Sequence, residues 1–170
     1  MLVDPGGLHR VGKPAISAGA ALKIENSKLK ALHALWNAQC TRATLPARTA
    51  FGFDALRAWL GHIALIEVLS EPRQFRVRLF GSTLVKLAGR DLTAQWLDKS
   101  VPDDRVGAVL EPYYACVKEK TAVAQLQRYE GFGAKPPVLE QLLLPCSSDQ
   151  TSIDTIVVGA YLDGDTVWSS

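Results

Sequence analysis

The sequence predicts an α+β domain: a five-stranded antiparallel sheet with helices on one face and an N-terminal flanking helix. Three observations carry that prediction. Two strand-like runs, His62–Leu69 and Phe75–Phe80, come early, and three more, Ala122–Glu130, Val138–Leu144 and Ile153–Leu162, come late. The main helical patterns after the first strand lie between the second and third runs. The first and last runs are apolar at nearly every position, as strands buried on both faces must be.

Taken in order, residues 1–26 read as a flexible N-terminal tail, rich in Gly, Ala and Pro and without a period. Residues 27–163 read as a single domain and 164–170 as a C-terminal tail. A helix is expected over Ser27–Thr41, capped by Asn26 or Ser27, with Leu29, Leu32, Leu35, Trp36 and Cys40 forming one apolar stripe. A connector follows, in which Asp54 caps a short helix that Gly61 ends.

His62–Leu69 is the first strand, and Glu71-Pro72-Arg73 turns the chain. In the second strand Phe75, Val77 and Leu79 are expected on one face, with Arg76 and Arg78 on the other, a charged pattern that suits a sheet edge. Ser82 is expected to cap a short helix that Gly89 stops, and Asp91 or Thr93 a further turn. A longer helix is expected over Pro102–Lys120, acidic at its start and basic at its end, with Pro112 kinking it. Gly131–Gly133 and Ser147–Gln150 are the turns between the last three strands.

Composition narrows the functional classes. The 170 residues are 48% hydrophobic and 21% charged, which excludes wholesale disorder. A net charge of +2 with scattered basic residues points away from nucleic acid. No stretch approaches the roughly 20 apolar residues of a membrane span, and Asp4, Pro5 and two glycines stand where a secretory signal needs an apolar run. Cys40, Cys116 and Cys146 are odd in number and far apart, which suits reduced thiols. A cytoplasmic protein is the expectation.

Few residues fall in groupings that carry chemistry. His9, His33 and His62 share no metal-binding spacing. No nucleophile elbow, phosphate loop or GxGxxG motif is present. Arg48, Arg78, Asp54 and Asp91 admit two readings: the arginines grip a carboxylate ligand, or they pair with the aspartates and pin the connector to the sheet. No catalytic residue is assigned. A small enzyme would have to draw on Asp54, Glu67, Asp91 or His62, which no spacing brings together.

Several segments together resemble a bacterial family of PAS domains of the alphaproteobacterial type. They are Trp36, Leu45-Pro46-Ala47-Arg48, Phe53-Asp54, Leu60-Gly61-His62, the stretch from Phe75 to Thr93, and Leu142 to Asp149. The chain departs from that pattern at Ala55, where the family tends to have proline, and at Ala94, where it tends to have glycine. The resemblance implies that the first and last strands pair at the centre of the sheet. It also implies a sensory or ligand-binding module, and it supplies no cofactor.

A haem-binding PAS domain offers a histidine from the long helix, and Pro102–Lys120 has none; only Tyr113, Tyr114 and Cys116 could ligate iron there. The cysteine motif of flavin photochemistry is absent. The cofactor stays unknown.

A pocket between the sheet and the helices would be lined by Val77, Leu79, Leu87, Trp96, Tyr113, Val117 and Leu126. The outer face of the sheet also needs a cover, from the Ser27–Thr41 helix of the same chain or of a partner, and a homodimer through that helix and the outer face is one solution. The expected function is a stand-alone sensory module for a small apolar or carboxylated metabolite, acting in trans through a partner protein or a second copy. The alternatives are a ligand-free dimerisation or interaction module and, third, a small enzyme.

Overall fold

The computed structural model describes residues 9–41, 44–70, 75–130 and 137–163. The expected turns at 71–73 and 131–133, and residues 164–170 of the expected C-terminal tail, lie outside them. The described elements are β1 (His9–Ala18), α1 (Ser27–Gln39), α2 (Phe53–Leu56), β2 (Ile63–Val68), β3 (Phe75–Phe80), α3 (Ser82–Ala88), α4 (Val106–Glu119), β4 (Val123–Glu130), β5 (Val138–Cys146) and β6 (Thr155–Leu162). The six strands form one sheet in the order β1-β4-β5-β6-β2-β3. All its neighbours are antiparallel. The five expected strands thus pair as the resemblance implies, with the first beside the last and the charged strand β3 at an edge.

The sixth strand corrects the expected tail. His9–Ala18 pairs with β4 along the other edge, with an irregularity between Val11 and Ala15. Pro14 falls inside that irregularity, on an edge strand, where a missing N–H is tolerated. The break also destroys the two-residue alternation that would have marked the strand.

Helices cover both faces. On the outer face Leu29, Leu32 and Trp36 of α1 pack with Leu56, Trp59, Leu65, Leu142, Leu144 and Val157. Asn26 caps α1, accepting from the N–H groups of Lys28 and Leu29 at 2.8 and 3.1 Å. Gly159 lets α1 sit directly on β6, because a Cβ there would lie 2.7 Å from methyls of Leu29 and Leu32. The cover of the outer face therefore comes from the same chain.

On the inner face α3, α4 and the turn at Leu97–Lys99 enclose the larger core. A 3-10 turn over Asp103–Arg105 precedes α4, which continues on both sides of the buried Pro112. No described helix is long and apolar enough to cross a membrane.

β5 extends beyond its expected end at Leu144 and contains Pro145. Pairing with β4 stops at Leu143, so from Leu144 onward β5 bonds only β6. The Pro145 carbonyl turns toward the vacated side and accepts from Trp36 Nε1 at 2.9 Å. Because N–H and C=O of one residue share a side in a strand, the missing donor is never needed.

Candidate functional site

The corner between β2 and α3 sets the inner face. Gly61, at φ 92°, offers its carbonyl to the N–H groups of Thr83 and Leu84 at 3.0 and 3.1 Å and so closes the start of α3. A Cβ on Gly81 would lie 2.4 Å from that carbonyl oxygen, so only glycine allows the two chains to approach. Gly81, not Ser82, is the N-cap, and Ser82 begins the helix. Gly89 ends α3 in the left-handed conformation, as expected.

Four of the seven expected lining residues come together here. Val77, Tyr113 and Val117 are buried in the inner cluster, and Leu87 packs against it. The Phe75 ring packs at 5.4 Å against Tyr113, tilted by 47°. Trp96 is half-buried at the rim, where its backbone bridges to Arg76 and the guanidinium lies 5.9 Å from its ring.

Leu79 and Leu126 fall elsewhere. Leu65 pairs with Leu79 but Ile66 pairs with Val77, so Arg78 is an extra residue in β3. That bulge reverses the alternation: Phe80 turns inward and Leu79 is 41% exposed. Leu126 shares the parity of Ala124, which belongs to the outer cluster, so it too points away from the inner core.

The charged set does not assemble. Arg48 donates to the carbonyl of Phe51 at 2.7 Å, while Arg78 and Asp54 are exposed. The Thr93 hydroxyl and N–H donate to Asp91 and hold its carboxyl below the usual range. Arg90 donates to the carbonyl of Ser100. No ion pair joins these residues to one another.

The sheet instead places three glutamines on the inner face, which the sequence reading missed. Gln125 and Gln127 of β4 share the parity of Val123, and Gln141 of β5 lies between Leu139 and Leu143. Gln125 and Gln141 are directly opposite, and Gln125 Nε2 donates to Gln141 Oε1 at 2.9 Å. Gln127 Nε2 donates to the carbonyl of Arg128. All three are 1% exposed, and Gln125 Oε1, Gln127 Oε1 and Gln141 Nε2 have no hydrogen-bond partner. The signal was available in VAQLQRYE and VLEQLLL, where glutamine recurs on the face of Val123 and Leu143.

Two hollows lie away from the three glutamines, the second at the border of the inner cluster. One, of about 490 Å³, is lined by His33, Trp36, Cys40, Thr44, Lys120 and Gln150. The other, of about 480 Å³, is lined by Val68, Val117, Lys120, Thr151 and Asp154 among others. Burial lowers the pKa of His33 and raises that of Cys40. Burial, with Asp154 nearby, pushes Cys146 up to about 12, and burial raises Cys116 as well. These thiols are protonated at neutral pH and poor nucleophiles.

An antiparallel sheet with its first and last core strands paired at the centre, and helices over a mixed apolar and amide face, defines a PAS-like α+β domain. The chain belongs to the PAS domain family, whose model matches residues 24–162. Members of that family are sensory or interaction modules and typically not catalysts. β1 precedes the matched span. No curated protein and no solved structure matches the chain.

Proposed function

We propose that this PAS-domain protein is a sensory module that binds a small molecule against the inner face of its sheet. The signal then passes in trans, to a partner protein or to a second copy. One observation carries the reading: a cluster of buried amides beside an apolar wall, three of whose hydrogen-bonding atoms have no partner. Buried polar groups in native proteins are nearly always matched. A bound ligand matches these, and ligand sites combine mostly apolar walls with a few placed polar groups.

The test is mass spectrometry of material released from the purified full chain on denaturation. A stoichiometric small molecule supports the reading. Nothing released, together with inner methyl resonances that stay fixed across a metabolite library, defeats it.

The outward side of α1 favours a second reading, a dimerisation module. With its inner stripe covered, α1 presents Ala31, Ala34 and Ala38 to solvent, a smooth ridge on which a second helix could pack. Light scattering across a concentration series decides it, and a monomer throughout sinks it.

A further inference from the structure

The polar side chains that the strands themselves bury on the inner face are amides, and this limits what they can hold. The buried polar and charged residues among those described are Ser100, Gln125, Gln127, Glu140, Gln141 and Ser147. The one acid in that set, Glu140, alternates with Gln141 and lies on the outer face, where its carboxylate is occupied by backbone N–H groups. No buried cation stands on the inner face among the described residues.

The Gln125–Gln141 pair uses one N–H and one C=O on each other and leaves one acceptor and one donor over. Gln127, two residues along β4 on the same face, adds a second acceptor. Diagonal neighbours on adjacent strands stand about 7–8 Å apart, so all three amides fall within the span of one small ring. Turning both amides of the pair over exchanges the free atoms but still leaves one donor and one acceptor.

On this pattern, and resting on the reading above, we propose that the inner face recognises an uncharged ligand through a lactam or carboxamide edge. The ligand N–H donates to Gln125 Oε1 and its C=O accepts from Gln141 Nε2. A second ligand N–H donates to Gln127 Oε1. A carboxylate has no donor for either free acceptor and meets no cation there. A hydrocarbon leaves all three groups buried and unmatched.

The test is a titration of the full chain, labelled with ¹⁵N in its glutamine side chains. Uracil and nicotinamide are the neutral probes and nicotinate is the acid control. The side-chain amide signals of Gln125 and Gln141 shift with the neutral probes and not with nicotinate. Gln141→Leu weakens their binding at least about tenfold, a loss of roughly 1.4 kcal/mol. The wild-type titration stands without that variant should it misfold.

If nicotinate binds as well as nicotinamide, the proposal is overturned. It is also overturned if long-lived waters satisfy the amides and no probe moves them. If the released molecule is an acid or a hydrocarbon, the lactam assignment falls while the small-molecule reading stands. If nothing is released and nothing binds, both fall.

Discussion

On the outer face of the sheet, Glu140 accepts from the N–H groups of Glu25 and Asn26 at 2.7 Å each. Trp36 and Trp59 donate their indole N–H groups to the carbonyls of Pro145 and Lys28. On the inner face, Gln125, Gln127 and Gln141 keep three buried atoms unmatched. The two faces belong to the same strands, so the contrast is one of side-chain parity alone. The outer face fastens α1 and is a finished interior. The inner face leaves hydrogen-bonding capacity unmatched at a cost in stability, which the proposed ligand would offset.

The most damaging break falls on the finished side. Leu32 is fully buried and its methyl contacts the space above Gly159. Leu32→Ala is expected to destabilise the fold by about 3 kcal/mol, read from urea unfolding. Thiol labelling shows where the damage lies. With Cys146 held at about 12, its thiolate fraction at pH 8 is roughly one in 10⁴, so labelling proceeds through opening. The variant should expose Cys146, under α1, sooner than Cys116, in the inner cluster. Equal acceleration of both thiols would show that the two faces open together.

Glu140→Gln comes next, at about 2 kcal/mol. The variant sets an NH₂ group against one of two N–H donors and leaves that donor unmatched. The glutamine side-chain signals of the inner face should hold their positions. Shifts there would mean that the clamp on α1 is coupled to the candidate site.

How much of this was legible in the chain depended on continuity of pattern. β2 and β6 showed themselves by unbroken apolar runs, and β3 by its charges. Wherever one residue interrupts the count, the sequence misleads. The extra Arg78 moved Leu79 to the wrong face, and the irregularity around Pro14 hid β1. Leu126 drew attention because it is apolar, while its neighbours Gln125 and Gln127, polar in sequence, are the buried ones. Which face a polar strand residue takes is settled by pairing and helix packing, which no local pattern contains.

Ala94 was visible as a departure from the family's glycine, and its φ of 68° gives the departure a physical meaning. Ala94→Gly should stabilise the protein by about 1 kcal/mol, because an L side chain is strained in that conformation. It touches neither amide nor clamp, so it serves as the control. An unchanged or lowered urea midpoint would show that the backbone there relaxes.

The smallest expected effect discriminates best between the two faces. Gln141→Leu alone removes the acceptor for Gln125 Nε2 and leaves that group buried and unmatched, at about 1–2 kcal/mol. Adding Gln125→Leu removes the orphan as well, and leucine has about the volume of glutamine. The double variant should therefore lie within about 1 kcal/mol of the parent, or above it, and a double-mutant cycle should give a favourable coupling. On the outer face no such pair of substitutions comes free, because among the described residues every buried side-chain polar atom there already has its partner. Should the double variant fall as far as Leu32→Ala, the amides belong to a finished network and the inner face is a second scaffold. Should it keep its stability yet lose its response to uracil and nicotinamide, the amides are held in the core for the ligand and not for the fold.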